Sequence, residues 1–164
     1  MINGLKEKYY KNPTILILGS LPSKISIEKN EYYGNPKNQF WKIISNVFEG
    51  ETIEFKSYKD KEKFLEKHHI ALWDVIKSAD RKGSLDINIK KEKYNDLYKL
   101  ITKFNINRIY VNGKKAESAL KKYLKQNNIK DIHYTLLTSS SSANTRYTLN
   151  EKISNWKKML LENK

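Results

Sequence analysis

Cysteine is absent from this chain of 164 residues. Disulfides, zinc–thiolate centres and iron–sulfur clusters are therefore excluded. Histidine occurs three times, with His68 and His69 adjacent, which argues against a histidine-rich metal site. No run of about 18 apolar residues exists, so no segment reads as a membrane-spanning helix. The opening Met1-Ile2-Asn3-Gly4-Leu5-Lys6-Glu7-Lys8 lacks the apolar stretch of a signal peptide. These absences predict a cytoplasmic protein that needs no metal and has no membrane partner. Arginine is scarce too: Arg81, Arg108 and Arg146 are the only three among 32 basic residues. Heavy base reading in a major groove, where bidentate arginine is the usual tool, is correspondingly disfavoured.

What is present is lysine. The formal net charge is +14, which favours a polyanion partner, most simply nucleic acid. The competing explanation is compositional: an AT-rich genome enriches Lys, Asn, Ile and Tyr without any partner in view. The length suits one domain spanning 1–164, large enough to bury a core without staples. No repeat or linker divides it.

Strand and helix patterns alternate. Residues 14–18, 70–73, 108–111 and 132–137 read as strands, being short, mostly branched or apolar runs. Helical patterns cover 36–48, 58–67, 92–104, 114–126 and 149–161, each with an apolar stripe at helical spacing. Four strands joined by helical crossovers predict an α/β fold with a mostly parallel sheet covered on both faces. Ligands of such sheets bind beyond the carboxyl ends of the strands. The segments there are Gly19-Ser20-Leu21-Pro22-Ser23, then Asp74 with the polar run 77–84, then Asn112-Gly113-Lys114, then Thr138 to Asn144. Together they could line one cleft, although turns are small and polar in most proteins.

The segment Tyr32-Tyr33-Gly34-Asn35-Pro36-Lys37-Asn38-Gln39-Phe40-Trp41 carries the most information. It joins a flat aromatic surface, an amide and an apolar Phe-Trp anchor at a loop-to-helix junction. Other signals are weaker. The first loop has neither the spacing of a P-loop nor that of a dinucleotide-binding glycine motif. Gly113-Lys114 at a helix start could hold a phosphate. No serine has nucleophile-elbow surroundings, and Asp74, Asp80 and Asp86 form no evident catalytic pair in the sequence. Asp74 could equally cap a helix.

In their order along the chain, Gly19-Ser20-Leu21-Pro22, the Tyr32-to-Trp41 segment, Leu72-Trp73-Asp74-Val75 with Arg81-Lys82-Gly83-Ser84-Leu85-Asp86, Val111-Asn112-Gly113-Lys114 and Leu137-to-Asn144 resemble the uracil-DNA glycosylase superfamily. The resemblance is closest to its hypoxanthine-DNA (deoxyinosine) branch. It implies a three-layer α/β/α sandwich with a central four-stranded, mostly parallel sheet. It also implies a monofunctional, cofactor-independent glycosylase that flips a deaminated base from DNA and hydrolyses its N-glycosidic bond. Hypoxanthine is the first candidate, with uracil and xanthine next. Such an enzyme would work as a monomer, associated with the nucleoid. Many relatives place the attacking water with an Asn or Asp two positions after the first-loop glycine. Leu21 stands there, as an apolar residue does in the deoxyinosine branch, and the resemblance transfers that role to Asn38. It gives base contacts to Tyr33, Gly19, Ser20, Leu21 and Asn112, and the DNA backbone to Ser139, Ser140, Ser141, Asn144 and Lys114. Asn38 could instead merely start a helix, Tyr33 pack a loop, and Asn144 hold its turn. Phe40, Trp41, Trp73 and Trp156 read as core. A non-catalytic nucleic-acid-binding module on the same fold is the alternative, and a small-molecule enzyme using Gly113-Lys114 for a phosphate is a third reading.

Overall fold

The computed structural model describes residues 1–162. In chain order the elements are β1 (Ile2–Asn3), β2 (Ile15–Gly19), α1 (Lys24–Lys29), α2 (Phe40–Glu49), α3 (Tyr58–Lys67), β3 (Ile70–Asp74), β4 (Ile76–Arg81), β5 (Ile89–Tyr94), α4 (Leu97–Phe104), β6 (Arg108–Asn112), α5 (Lys114–Gln126), β7 (Thr135–Leu137) and α6 (Leu149–Lys157). The central sheet has the order β3-β2-β6-β7, and every neighbouring pair is parallel. A smaller antiparallel sheet, β1-β4-β5, stands beside it.

Strand β2 explains the layering. All five of its residues are buried, and alternate side chains enter different cores. Leu16 and Leu18 pack with Leu97, Leu100 and Ile101 of α4 and with Ala116, Ala119 and Leu120 of α5. Ile15 and Ile17 pack with Phe40, Ile43 and Ile44 of α2, Leu65 of α3 and Trp156 of α6. A parallel strand covered on both faces must be apolar on both, which is how this run reads in the sequence. The result is the expected three-layer α/β/α arrangement. Phe40, Trp41 and Trp156 are core, whereas Trp73 is half-buried at the edge of the α4/α5 core.

The expectations differ from the structure in several places, among them the last strand, which covers only Thr135–Leu137 of the expected 132–137. Residues 76–81 and 89–94, expected as loop and as loop leading into a helix start, are β4 and β5. Lysines on β5 hide its strand character, and antiparallel pairing with β4 makes it a strand. Asp74 caps no helix, because β4 follows it directly. The helix expected from 36 starts at Phe40: the Asn35 and Asn38 side chains accept from Lys37 N and Phe40 N, holding this stretch in turns. Helix α1 escaped notice. It is short, with Ser23 as N-cap and Asn30 closing it in the left-handed region.

Candidate active site

The carboxyl ends of all four parallel strands open into one cavity of about 400 Å³. Gly19 to Ser23 line it after β2, Asp74 at the end of β3, Asn112 at the end of β6, and Ser140 to Asn144 after β7. Tyr33, Asn38 and Asp86 complete it. Nine of the residues named from the sequence therefore meet: Gly19, Ser20, Leu21, Tyr33, Asn38, Asn112, Ser140, Ser141 and Asn144. Ser139 and Lys114 line an adjoining groove instead, with Asn144 bordering both.

One wall is a network of amides and a serine. Asn112 Nδ2 donates to the Tyr33 hydroxyl at 3.2 Å and to Ser140 Oγ at 2.9 Å, while its Oδ1 accepts from Ser140 N at 2.9 Å. The Ser140 hydroxyl donates onward to Asn38 Oδ1 at 2.9 Å. That oxygen also accepts from Phe40 N at 3.0 Å, which fixes which end of the amide is which. Asn38 Nδ2 has no partner among the hydrogen bonds of the described residues, so its two N–H groups remain available. Ser140 is 1% exposed and joins the segments after β6 and β7 to the turn before α2. Its N–H and Oγ are already taken up by Asn112 and Asn38.

Tyr33 sits in the left-handed region at φ 52°, which is unusual for a bulky residue. Its ring stacks on Phe40 with centroids 4.0 Å apart and planes 12° apart. Phe40 in turn meets Trp41 and Trp156 edge-on. The anchor pair thus fixes the tyrosine from behind, and the hydroxyl is tied to Asn112. Burial, with the nearby Asp74 adding to it, pushes the phenol pKa well above the ordinary range, so the ring stays neutral.

Lys152 holds the serine loop from below. It is 2% exposed, and its ammonium donates to Gln39 Oε1 at 2.8 Å and to Ser141 O at 3.2 Å. No carboxylate pairs with it among the described salt bridges, and burial lowers its pKa. Gly113 permits the loop to come close: its φ is 92°, and a Cβ there would lie 3.0 Å from that of Ser139. Trp156 Nε1 and Asn155 Oδ1 hold Thr138 at the loop's start.

The other wall is acidic, and sequence reasoning missed it. Arg81 donates to Pro22 O at 2.6 Å, Leu21 O at 3.4 Å and Gly83 O at 3.0 Å, clamping the first loop. Asp86 Oδ1 accepts from the Ser20 hydroxyl at 2.8 Å. The Arg-x-Gly-Ser-Leu-Asp motif therefore acts on the first loop across the cavity. Leu21 is 6% exposed and belongs to the apolar core, so it offers the site only its backbone. Asp74 is 4% exposed and lines the cavity, yet its side chain makes no hydrogen bond among the described residues and its Oδ2 is fully buried. Burial, then the neighbouring Asp86 charge, raises its pKa to about 7, with Arg81 opposing. The available signal was positional, since Asp74 ends a strand whose neighbour in register is Gly19. No group of three or more metal-ligating side chains occurs among the described residues.

Residues 7–162 match the Uracil DNA glycosylase superfamily. The chain is 39% identical over 151 residues to the hypoxanthine DNA glycosylase of Methanosarcina acetivorans, covering 89% of both chains. It is 36% identical over 147 residues to that of Methanosarcina barkeri, again covering 89% of both. A solution NMR structure of a Methanosarcina acetivorans protein superposes with a TM-score of 0.76 at 35% identity, covering 96% of this chain and 98% of the other. This chain belongs to the uracil DNA glycosylase superfamily. It is thus an enzyme of the DNA glycosylase class, and its substrate is DNA.

Proposed function

We propose that this protein removes hypoxanthine from deoxyinosine in DNA by hydrolysing the N-glycosidic bond of a base flipped into the strand-end cavity, with uracil and xanthine as further substrates. The observation that carries this reading is Asn38, whose amide nitrogen is free at the mouth of a cavity backed by an ordered aromatic ring. Bond breaking leaves an oxocarbenium-like sugar and a base carrying negative charge. Preorganised donors stabilise such charge and need no side-chain nucleophile. The free Asn38 N–H groups serve the base or the water. Asn38 Oδ1 becomes an acceptor for water when the Ser140 hydroxyl turns away, as Ser140 Oγ still receives Asn112 Nδ2. Flipping costs a few kcal/mol, and stacking on Tyr33 returns about 1–3 kcal/mol.

The backbone of the DNA would lie over Ser139, Ser141, Asn144 and Lys114, close to Arg146 of the adjoining groove. A net charge of +14 suits contacts that do not read sequence. We assign the whole chain to one catalytic unit acting as a monomer inside the cell, at the nucleoid. Among the described residues no helix is long and apolar enough to cross a membrane. A lesion panel is the test: hypoxanthine, xanthine, uracil and mismatched thymine, each in single- and double-stranded oligonucleotides without added metal. Alkali-labile sites at hypoxanthine are expected. DNA binding without cleavage of any lesion would favour a non-catalytic module, the reading that the apolar Leu21 keeps in view.

A further inference from the structure

Asp74 is a buried carboxyl that the chemistry above leaves unused. Its place is set from several directions. Asn95 Nδ2 holds its carbonyl at 2.7 Å, fixing the backbone. Gly19 is its partner in register, and a Cβ on Gly19 would lie 2.4 Å from Asp74 Oδ1. The carboxyl therefore lies over the one strand-end residue without a side chain, on the cavity floor. The Tyr33 hydroxyl is 3.2 Å from that same point. A buried polar group without a partner is costly and calls for an explanation. Oδ2 is sealed from the cavity, whereas Oδ1 is not among the fully buried atoms and has no partner among the described residues, so a ligand in the cavity can reach it.

Resting on the glycosylase reading, we infer that Asp74 meets the excised base as a neutral carboxylic acid, donating a hydrogen bond from Oδ1 to its lactam oxygen. Hypoxanthine, xanthine and uracil all present such an oxygen. As the glycosidic bond breaks, its electrons pass to the base and raise the charge on the lactam oxygen, so the acid's hydrogen bond strengthens in the transition state. No proton need be transferred. An ionised carboxylate would repel the same oxygen. The groups facing Asp74 support the neutral form. Asp86 and its Ser20 partner lie on one side, and Tyr32 and Tyr33, both held neutral by burial, lie on another. Arg81 is the opposing cation, but its guanidinium is committed to the carbonyls of Leu21, Pro22 and Gly83. A carboxylic acid kept protonated by its surroundings so that it can donate has precedent in enzyme sites.

Single-turnover base release should be measured from pH 5.5 to 8.5. For inosine-containing DNA the wild-type rate is expected to fall above about pH 7, approaching tenfold per unit. Asp74→Asn keeps a donor and an acceptor but cannot ionise, so its rate is lower at pH 6 and flat with pH. Asp74→Ala loses on the order of 100-fold throughout. Asp86→Asn removes the like charge beside Asp74, so it shifts the fall to lower pH without abolishing it. An alkaline fall that persists in Asp74→Asn, or one that vanishes only in Asp86→Asn, overturns the role. So does a wild-type inosine profile without any fall. Failure of the wild type to release hypoxanthine or uracil overturns the glycosylase reading itself, a different outcome from release with the wrong profile.

Discussion

The two walls of the cavity are built on opposite principles. On the amide wall nearly every donor and acceptor is matched: Asn112 is saturated at both ends, and Ser140 joins it to Asn38. On the acid wall the Asp74 carboxyl is buried with no hydrogen-bond partner among the described residues. Satisfied networks rigidify and position, whereas unsatisfied groups wait for something that completes them. Two asparagines make the same point within one wall. Asn112 ties strand ends together, and Asn38 is held by its oxygen alone, which leaves its nitrogen without a partner among the hydrogen bonds of the described residues.

The contrast can be broken most severely at Asn38. Asn38→Ala should lower the single-turnover rate by about 10²–10³-fold, or about 2.7–4 kcal/mol of barrier, with a much smaller loss of thermal stability. An unaltered rate would mean that the free amide nitrogen is not used. Gly19→Ala comes next. The added methyl cannot coexist with Asp74 Oδ1 where it stands, so the acid must move. Displacement on this scale can cost about 10²-fold in rate. A rate within twofold of wild type, with the fold intact, would show that the position of Asp74 is immaterial.

A third test reads stability against pH. The Asp74 pKa is raised from 3.8 to about 7, so between those values the folded protein holds a proton that the unfolded chain has released. Wild-type stability therefore falls as pH rises through that window and levels off above it. Asn at this position has no such dependence. From pH 4 to pH 8, denaturant titrations should show the stability difference moving in favour of Asp74→Asn by roughly 1–4 kcal/mol. A difference constant with pH would sink the raised pKa. The smallest effect is expected at Lys152. Lys152→Met keeps the apolar stem and removes two hydrogen bonds to Gln39 and Ser141, costing about 1–2 kcal/mol. The serine loop should loosen, seen as faster amide exchange at residues 139–144, while Asp74 is undisturbed.

Much of the fold was legible because it depends on local pattern. The run Ile15-Leu16-Ile17-Leu18 announces a strand buried on both faces, and the stripe of α5 fits 114–126 to the residue. The small sheet was not legible. Strand β5 carries Lys90, Lys91, Glu92 and Lys93, and its identity comes from pairing with β4 rather than from its own residues. The cleft at the strand ends was also legible, since topology requires it. Its acid wall was not, because Asp74 and Asp86 look like unrelated surface aspartates until the first loop folds between them.

The sequence by itself determined the order of the main strands and helices, the two-faced strands, the basic charge and the segment from Tyr32 to Trp41, from which Tyr33 and Asn38 line the site. Only the tertiary structure decided which groups in the site are taken up and which are free. Asn38 finds Ser140 across 102 residues, and Ser20 finds Asp86 across 66. A side chain's chemistry depends on what saturates it and what shields it from water. Both are properties of its neighbours in space, which residue type and spacing along the chain do not encode.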